Sequence, residues 1–431
     1  MPQVYLAVAL TTLATLLLEL SLTRIFSVVF YYHFAFLAIS VALFGLGAGG
    51  VFSYALASGG KRVFSRLGLA SALNAVLAPL SLAVILAQRE EPAGFGLALI
   101  YFTTSLPFVV AGTILSLVIA ETLERVHKVY FFDLLGAAGA CLLLIPLLNA
   151  FGGPNTAIAS GVLFAAAGAI WHTAGGGTRG RAASVALGLL LVGAIVANSR
   201  YRFLDIRYAK GQKLEHEKFV KWNSFSRIAL GAEKRSGAPM IYIDADASTG
   251  VAAFDFDHLS EADRRGLLQS GAGLPYWLRP GARTLIIGPG GGWDVARALA
   301  SGSRDVTGVE INPIIARTIM QERFAGLSRR LYFRPEVRIV VEDGRSFVRR
   351  SRERYGVIQA TLVDTWAATA AGAFALSENN LYTTEAFAEY LSRLESNGIA
   401  AFTRWGLDPP RESLRIVSLA MAALERMGAR E

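Results

Sequence analysis

The chain has 431 residues, enough for two or three domains, with a mean hydropathy of +0.43 and only 17% charged residues. Its formal charge of +9 sits mostly in the second half, and no zinc knuckle, basic-aromatic RNA motif or helix-turn-helix pattern accompanies it. An anionic membrane surface is therefore the better explanation of the basic excess than nucleic acid. The single cysteine, Cys141, excludes an intrachain disulfide and is expected as a small buried apolar residue.

Charges are scarce before about Ser199 and dense after it, so the chain reads as two halves. The first holds seven apolar runs, about 4–24, 31–57, 67–87, 95–120, 129–150, 154–172 and 183–198, each near the roughly 20 residues that span a bilayer. One run can be a signal sequence; seven make a polytopic domain. The basic loops at Lys61, Arg62 and Arg66, at Arg125 and Lys128, and at Arg179 and Arg181 all ask for the cytoplasm, as does the segment with Arg200, Arg202, Arg207, Lys210 and Lys213. Seven spans cannot satisfy all four, so one run is re-entrant or miscounted, with the sixth and seventh as the suspects. That last basic segment favours the inner side of a cell membrane for the second half.

Within this half Glu19, Arg24 and Asp133 are ionisable groups in apolar runs. Each needs a partner or an aqueous cavity, and the alternatives are an interfacial packing pair or a polar path. "GLGAGG", Gly45 to Gly50, is read as close helix packing in lipid rather than a nucleotide loop.

Beyond about Arg200 the periodicity changes. "SRIALGA" and "MIYIDAD" read as strands, giving a small β-rich segment over 200–280. From 281 strand and helix alternate: "TLIIG", "WDVARALASG", "DVTGVEI", "PIIARTIMQERF", "VRIVVED", "GRSFVRRSRE", "YGVIQATLVD", "TTEAFAEYLSRLES" and "GIAAFTRW". That order predicts a doubly wound α/β sheet of Rossmann type, as in class I methyltransferases, whose ligands bind beyond the carboxyl ends of the strands. After Trp405 only "ESLRIVSLAMAALERMG" follows, read as one helix. Either the sheet is trimmed or the natural product is longer. Three regions are thus expected: 1–199 spanning, 200–280 linking, 281–431 nucleoside-binding.

The turn after the first of these strands is Gly288, Gly290 and Gly292, with Trp293 where a dinucleotide fingerprint has its third glycine. This weakens a nicotinamide reading. Bare backbone there lets a nucleoside approach closely. Glu310 ends the next strand about 22 residues on from Gly288, where a carboxylate accepts from both hydroxyls of a ribose. Asp343, followed by Gly344, ends the third strand, in place to accept from an adenine amino group. Asp294, in the first turn of the helix after the glycines, either complements the helix dipole or contacts the ligand's amino group. The set fits an adenosine with a non-phosphate tail, S-adenosylmethionine or its decarboxylated form, bound as co-substrate without a metal. For both Glu310 and Asp343 the plainer alternative is an acid that ends a strand and caps the next helix.

On these residues, and on "KWNSFSRI", "LPYWLRPGARTLIIGPGGGWDV", "GVEINP", "VEDGRSF" and "ENNLYTTEAFAEYLSRLESNGIAAFTRW", the chain resembles the spermidine synthase family. It resembles more closely the members in which a multi-spanning region precedes the synthase-like domain, through "LLLELSLTRIFSVVFYYHFAF" and "VYFFDLLGAAGA". The resemblance implies Glu310 on the ribose, Asp343 on the adenine and the glycine turn beneath the methionine-derived tail. It also implies an acid inside that turn, where this chain has Gly291, and a D-x-x-D pattern after the fourth strand whose first Asp is the base. Here that place holds Thr361, and only Asp364 remains.

Asp364 is accordingly the catalytic candidate. The reading is a membrane-embedded transferase that moves an aminopropyl or methyl group to an amine acceptor, by resemblance a polyamine. Its partners are the bilayer, a small amine and a second copy of the chain in a homodimer. The alternative is a nucleoside-binding sensor fused to a transporter-like region, its chemistry lost with the acids.

Overall fold

Backbone N–H and C=O groups in hydrocarbon must be satisfied within their own segment, so long apolar runs wind into helices. The computed structural model describes residues 2–30, 34–56, 63–90, 93–224, 226–363, 380–404, 406, 408, 410 and 412–429. Among these, six helices are long and apolar enough to cross a membrane: α1 (Pro2–Val29), α2 (Phe34–Leu56), α3 (Val63–Leu86), α4 (Gly94–Glu121), α5 (Val126–Ala174) and α6 (Thr178–Tyr201). The chain divides into two compact units. The first takes the described residues up to 215 and those of 221–227; the second takes 216–220 and the remaining described residues from 228 onward.

Seven apolar runs have become six helices because the fifth and sixth are joined in α5. Its 49 residues amount to about 74 Å of helix, more than twice a ~30 Å hydrocarbon core. The join is Gly152, at φ 77° and ψ 170°, a region open essentially to glycine alone. The halves on either side pack on different neighbours: Gly136 lies against Ala9 of α1, and Gly161 against Ala75 of α3. Cys141 is exposed on the outer surface of α5, not buried as expected; it faces away from the other helices. Arg24 is buried, with Nη1 3.5 Å from Ser27 Oγ, while Asp133 of α5 accepts a hydrogen bond from Thr12 of α1. Glu19 is half-buried in α1.

"GLGAGG" forms the seam between α2 and α4. A β-carbon on Gly49 would overlap the Val109 carbonyl oxygen and stand 2.7 Å from the Thr113 nitrogen, and Thr113 Oγ1 donates to the Gly49 carbonyl at 3.1 Å. Close backbone approach of this kind holds helices together where lipid offers no hydrophobic drive. Gly49→Leu should therefore lower the thermal stability of the detergent-purified protein by roughly 2–3 kcal/mol through overpacking. Gly47→Ala, at a position with nothing within 4 Å, should leave the melting curve in place.

In the first unit Tyr208–Ala209 (β1) and Gln212–Lys213 (β2) pair as a small hairpin. A four-stranded antiparallel sheet has the order β3 (Phe219–Trp222), β4 (Arg227–Ala232), β5 (Pro239–Ile243), β6 (Ala247–Gly250). The second sheet contains β7 (Thr284–Ile287), β8 (Val306–Glu310), β9 (Val337–Val341), β10 (Tyr355–Thr361) and β11 (Leu394–Thr403). Every pair in it is parallel, in the order β11-β10-β7-β8-β9.

Parallel strands are covered on both faces and so read as unbroken apolar runs; β7 and β8 are buried at every residue. Successive residues feed opposite cores. Ile286 and Val357 pack with α7 (Glu261–Leu268), α8 (Leu274–Leu278), α9 (Trp293–Ala300) and the π-helix Ile314–Arg323. Leu285, Ile287 and Ile358 pack with α10 (Gly344–Arg350), α11 (Thr384–Ser392) and α12 (Glu412–Arg426). The strand order reverses between β7 and β10, and the crevice beyond their carboxyl ends is where such sheets bind ligands.

Candidate functional site

The chain leaving β7 enters that crevice as Gly288, Gly290 and Gly292, all left-handed, with φ of 70°, 52° and 92°. Glycine alone adopts these angles without strain. The amides of all three are engaged within the protein: Gly288 donates to the Val309 carbonyl at 2.9 Å, Gly290 to Glu310 Oε2 at 3.2 Å, and Gly292 to the Pro289 carbonyl at 2.8 Å. A phosphate cradle needs such N–H groups free. The turn thus suits a ligand without a pyrophosphate over these glycines.

Gly291 sits under β6. Ala252 N donates to its carbonyl at 2.9 Å, and a β-carbon on it would overlap the Gly250 carbonyl oxygen and lie 2.8 Å from the Gly250 carbonyl carbon. Nothing larger than glycine fits here, which is the physical reason an acid inside the turn has no place in this chain. Trp293 turns outward, edge-on to Phe254 with ring centroids 5.5 Å apart.

Glu310, ending β8, is 5% exposed. Its two oxygens are held separately, Oε2 by Gly290 N and Oε1 by Asn312 N at 2.9 Å. Burial pushes its carboxyl above the usual range, against the pull of the donated N–H bonds. The Tyr332 hydroxyl donates to the Gly290 carbonyl at 2.7 Å and fixes the turn from its other side. The structure therefore brings Glu310 and the glycine turn together. Asp343, past the end of β9, caps α10, its Oδ1 accepting from Ser346 N at 2.8 Å. A β-carbon on Gly344 would come within 2.5 Å of Ile287 Cγ2, so glycine there lets the start of α10 close on β7.

Asp294 belongs to a buried polar cluster. Its Oδ1 accepts from Arg297 Nη1 at 2.6 Å and from Gln359 Nε2 at 3.2 Å, and the Thr361 hydroxyl donates to the same carboxylate. Gln359 Nε2 also lies 2.8 Å from Thr361 Oγ1 and 3.0 Å from the Ala272 carbonyl, while Arg297 Nε donates to Ser270 Oγ at 3.2 Å. Burial pushes the Asp294 carboxyl up, and Arg297 and Thr361 draw it back. Gln359 Oε1 and the Tyr276 hydroxyl are buried with no hydrogen-bond partner among the described residues. Sequence reading missed both; the one available signal was a glutamine inside the apolar run "GVIQATL". Asp364 lies outside the described residues.

No family model and no curated protein matches the chain. Among solved structures it is similar to a spermidine synthase from Thermotoga maritima, at 16% identity and a TM-score of 0.34. It is similar also to a spermidine synthase in complex with the transition-state analogue AdoDATO, at 16% identity and a TM-score of 0.33. Each match covers 50% of this chain and 64% of the other, so the chain spans less than two thirds of the length of these structures.

Proposed function

We propose that the second unit binds S-adenosylmethionine or its decarboxylated form and transfers an aminopropyl or methyl group to a small amine, a polyamine being the leading acceptor. The helical first unit would anchor the protein in a membrane. The observation that carries this reading is the Glu310 carboxylate beside a turn whose three left-handed glycines have spent their amides. Gly290 N, Asn312 N and Ile311 N donate to this carboxylate, which, with about four lone-pair sites on its two oxygens, keeps one to accept from a ribose hydroxyl.

In this reading Gly288, Gly290 and Gly292 run beneath the sulfonium tail, Asp343 and Gly344 border the adenine, and Asp294 lies at the tail end of the site. Asp364, the next acid in the sequence after β10, is the catalytic candidate. The lone pair of the amine attacks the carbon next to the sulfonium. The C–S bond breaks with its electrons on sulfur, which leaves as a neutral thioether, and the new ammonium gives up a proton. Because the leaving group is already activated, alignment supplies most of the rate.

Calorimetric titration of the full chain in detergent with S-adenosylmethionine, its decarboxylated form and NAD, followed by turnover with putrescine and a panel of amines, tests the reading. Saturable binding of an adenosyl sulfonium, none of NAD, and an N-alkylated product are expected. Binding without product would favour a nucleoside sensor, and binding of NAD alone would overturn the proposal.

A further inference from the structure

Two features of the buried cluster are left unused by alignment alone: the Asp294 carboxylate, and a hydroxyl at the carboxyl end of β10 that it holds in one orientation. We infer that Thr361 Oγ takes the proton released by the attacking amine and passes its own to Asp294. This inference rests on the transferase reading above.

A hydroxyl has one proton and two lone pairs. An ionised carboxylate cannot donate, so the Thr361 proton points to Asp294. Gln359 Nε2, 2.8 Å away, fills one lone pair, and among the described residues no donor takes the second. Asp294 and Gln359 are buried while Thr361 is half-exposed, which makes Thr361 the end of the chain of hydrogen bonds that meets the crevice. An amine N–H arriving there meets an oxygen polarised by a carboxylate one bond behind it.

The step balances. As nitrogen bonds to carbon and the C–S pair departs on sulfur, the ammonium proton moves to Thr361 Oγ and the Thr361 proton moves to Asp294, which becomes neutral. Burial, which raises the Asp294 carboxyl, favours that neutral form. The groups facing Asp294 are Arg297 on its own helix, Tyr276 from α8, Gln359 and Thr361 from β10, and Tyr332, whose hydroxyl also feels Glu310. Arg297 opposes protonation, and it stays paired to Ser270 when Asp294 is neutral. Among the described residues Gln359 Oε1 and the Tyr276 hydroxyl have no hydrogen-bond partner, so the cluster keeps unfilled polar capacity around Asp294.

The test compares the wild-type full chain with Thr361→Val, Thr361→Ser and Asp294→Asn, measuring nucleoside affinity and, with the amine panel, kcat against pH. A positioned proton acceptor contributes about 100-fold or more, so Thr361→Val should lose about that in kcat while its nucleoside affinity is unchanged. Thr361→Ser should recover most of the rate. Asp294→Asn should match the valine variant and lose the acid limb of the kcat profile. A Thr361→Val enzyme with wild-type kcat overturns the inference whether or not Asp294→Asn folds, and so does a wild type that binds nucleoside yet alkylates no amine. A wild type that binds neither nucleoside overturns the transferase reading first, and this inference with it.

Discussion

Gly291→Asp is expected to abolish nucleoside binding and to destabilise the second unit, although the spermidine synthase resemblance implies an acid at that position. Any β-carbon there overlaps the Gly250 carbonyl oxygen, and both partners are backbone, so relief requires β6 to move off the turn. That movement also breaks the Ala252 N–H bond to the Gly291 carbonyl. Overpacking of 1–3 kcal/mol with a lost buried hydrogen bond sums to about 3 kcal/mol, or roughly 6–12 °C in Tm for a unit of this size. Gly326→Ala, with open space around it, is the control that should melt as the wild type does. A Gly291→Asp protein with unchanged Tm would mean that the antiparallel sheet does not seat on the turn as described.

Glu310→Ala should weaken binding without moving the turn. It removes the proposed acceptor for the sugar and strands the Gly290, Asn312 and Ile311 amides, each unpaired donor costing about 1–3 kcal/mol. Calorimetry should show S-adenosylmethionine binding weakened by about 100-fold or more. Glu310→Gln should fall between, since an amide keeps one acceptor. The pH dependence has a definite sign. Accepting a ribose hydroxyl beside three backbone N–H groups requires the ionised carboxylate, and burial raises its pKa above the ordinary 4.5. Affinity should therefore be full at neutral pH and fall as pH drops through that raised value, earlier than an exposed glutamate would dictate. Equal binding by wild type and Glu310→Ala would remove the ribose contact from the account.

The parallel sheet was legible because its strands are buried runs punctuated by glycine and acid, a pattern set by local chemistry. Glu310 and the glycine turn were legible together for the same reason: both sit at strand ends about 22 residues apart, and the fold class fixes what strand ends do. The small-residue seam in "GLGAGG" could be read because close approach of helix backbones requires small residues at such spacing. What escaped depends on contacts distant in sequence. Thr361 and Gln359 meet Asp294 across 65 and more residues, and nothing in "GVIQATL" says which helix lies above it. Gly291 was legible as a missing acid, while the reason, the Gly250 carbonyl pressed on it, comes from a strand of the other sheet. The fusion of two apolar runs in α5 was hidden because "FGGPN" looks like a loop; Gly152 alone carries the break. Asp294 had two readings from sequence, dipole complement and ligand contact; its place in the first turn of α9 fits the first, and its bonds to Gln359 and Thr361 come from contacts no local pattern shows.

The most direct measurement is an experimental structure of the full chain with S-adenosylmethionine bound. The account predicts density in the crevice between β7 and β10, with a ribose hydroxyl within about 3 Å of a Glu310 oxygen and the sulfonium tail over Gly290. Density at another place, or an adenosine bound there with Glu310 still turned only to Gly290 and Asn312, would contradict it.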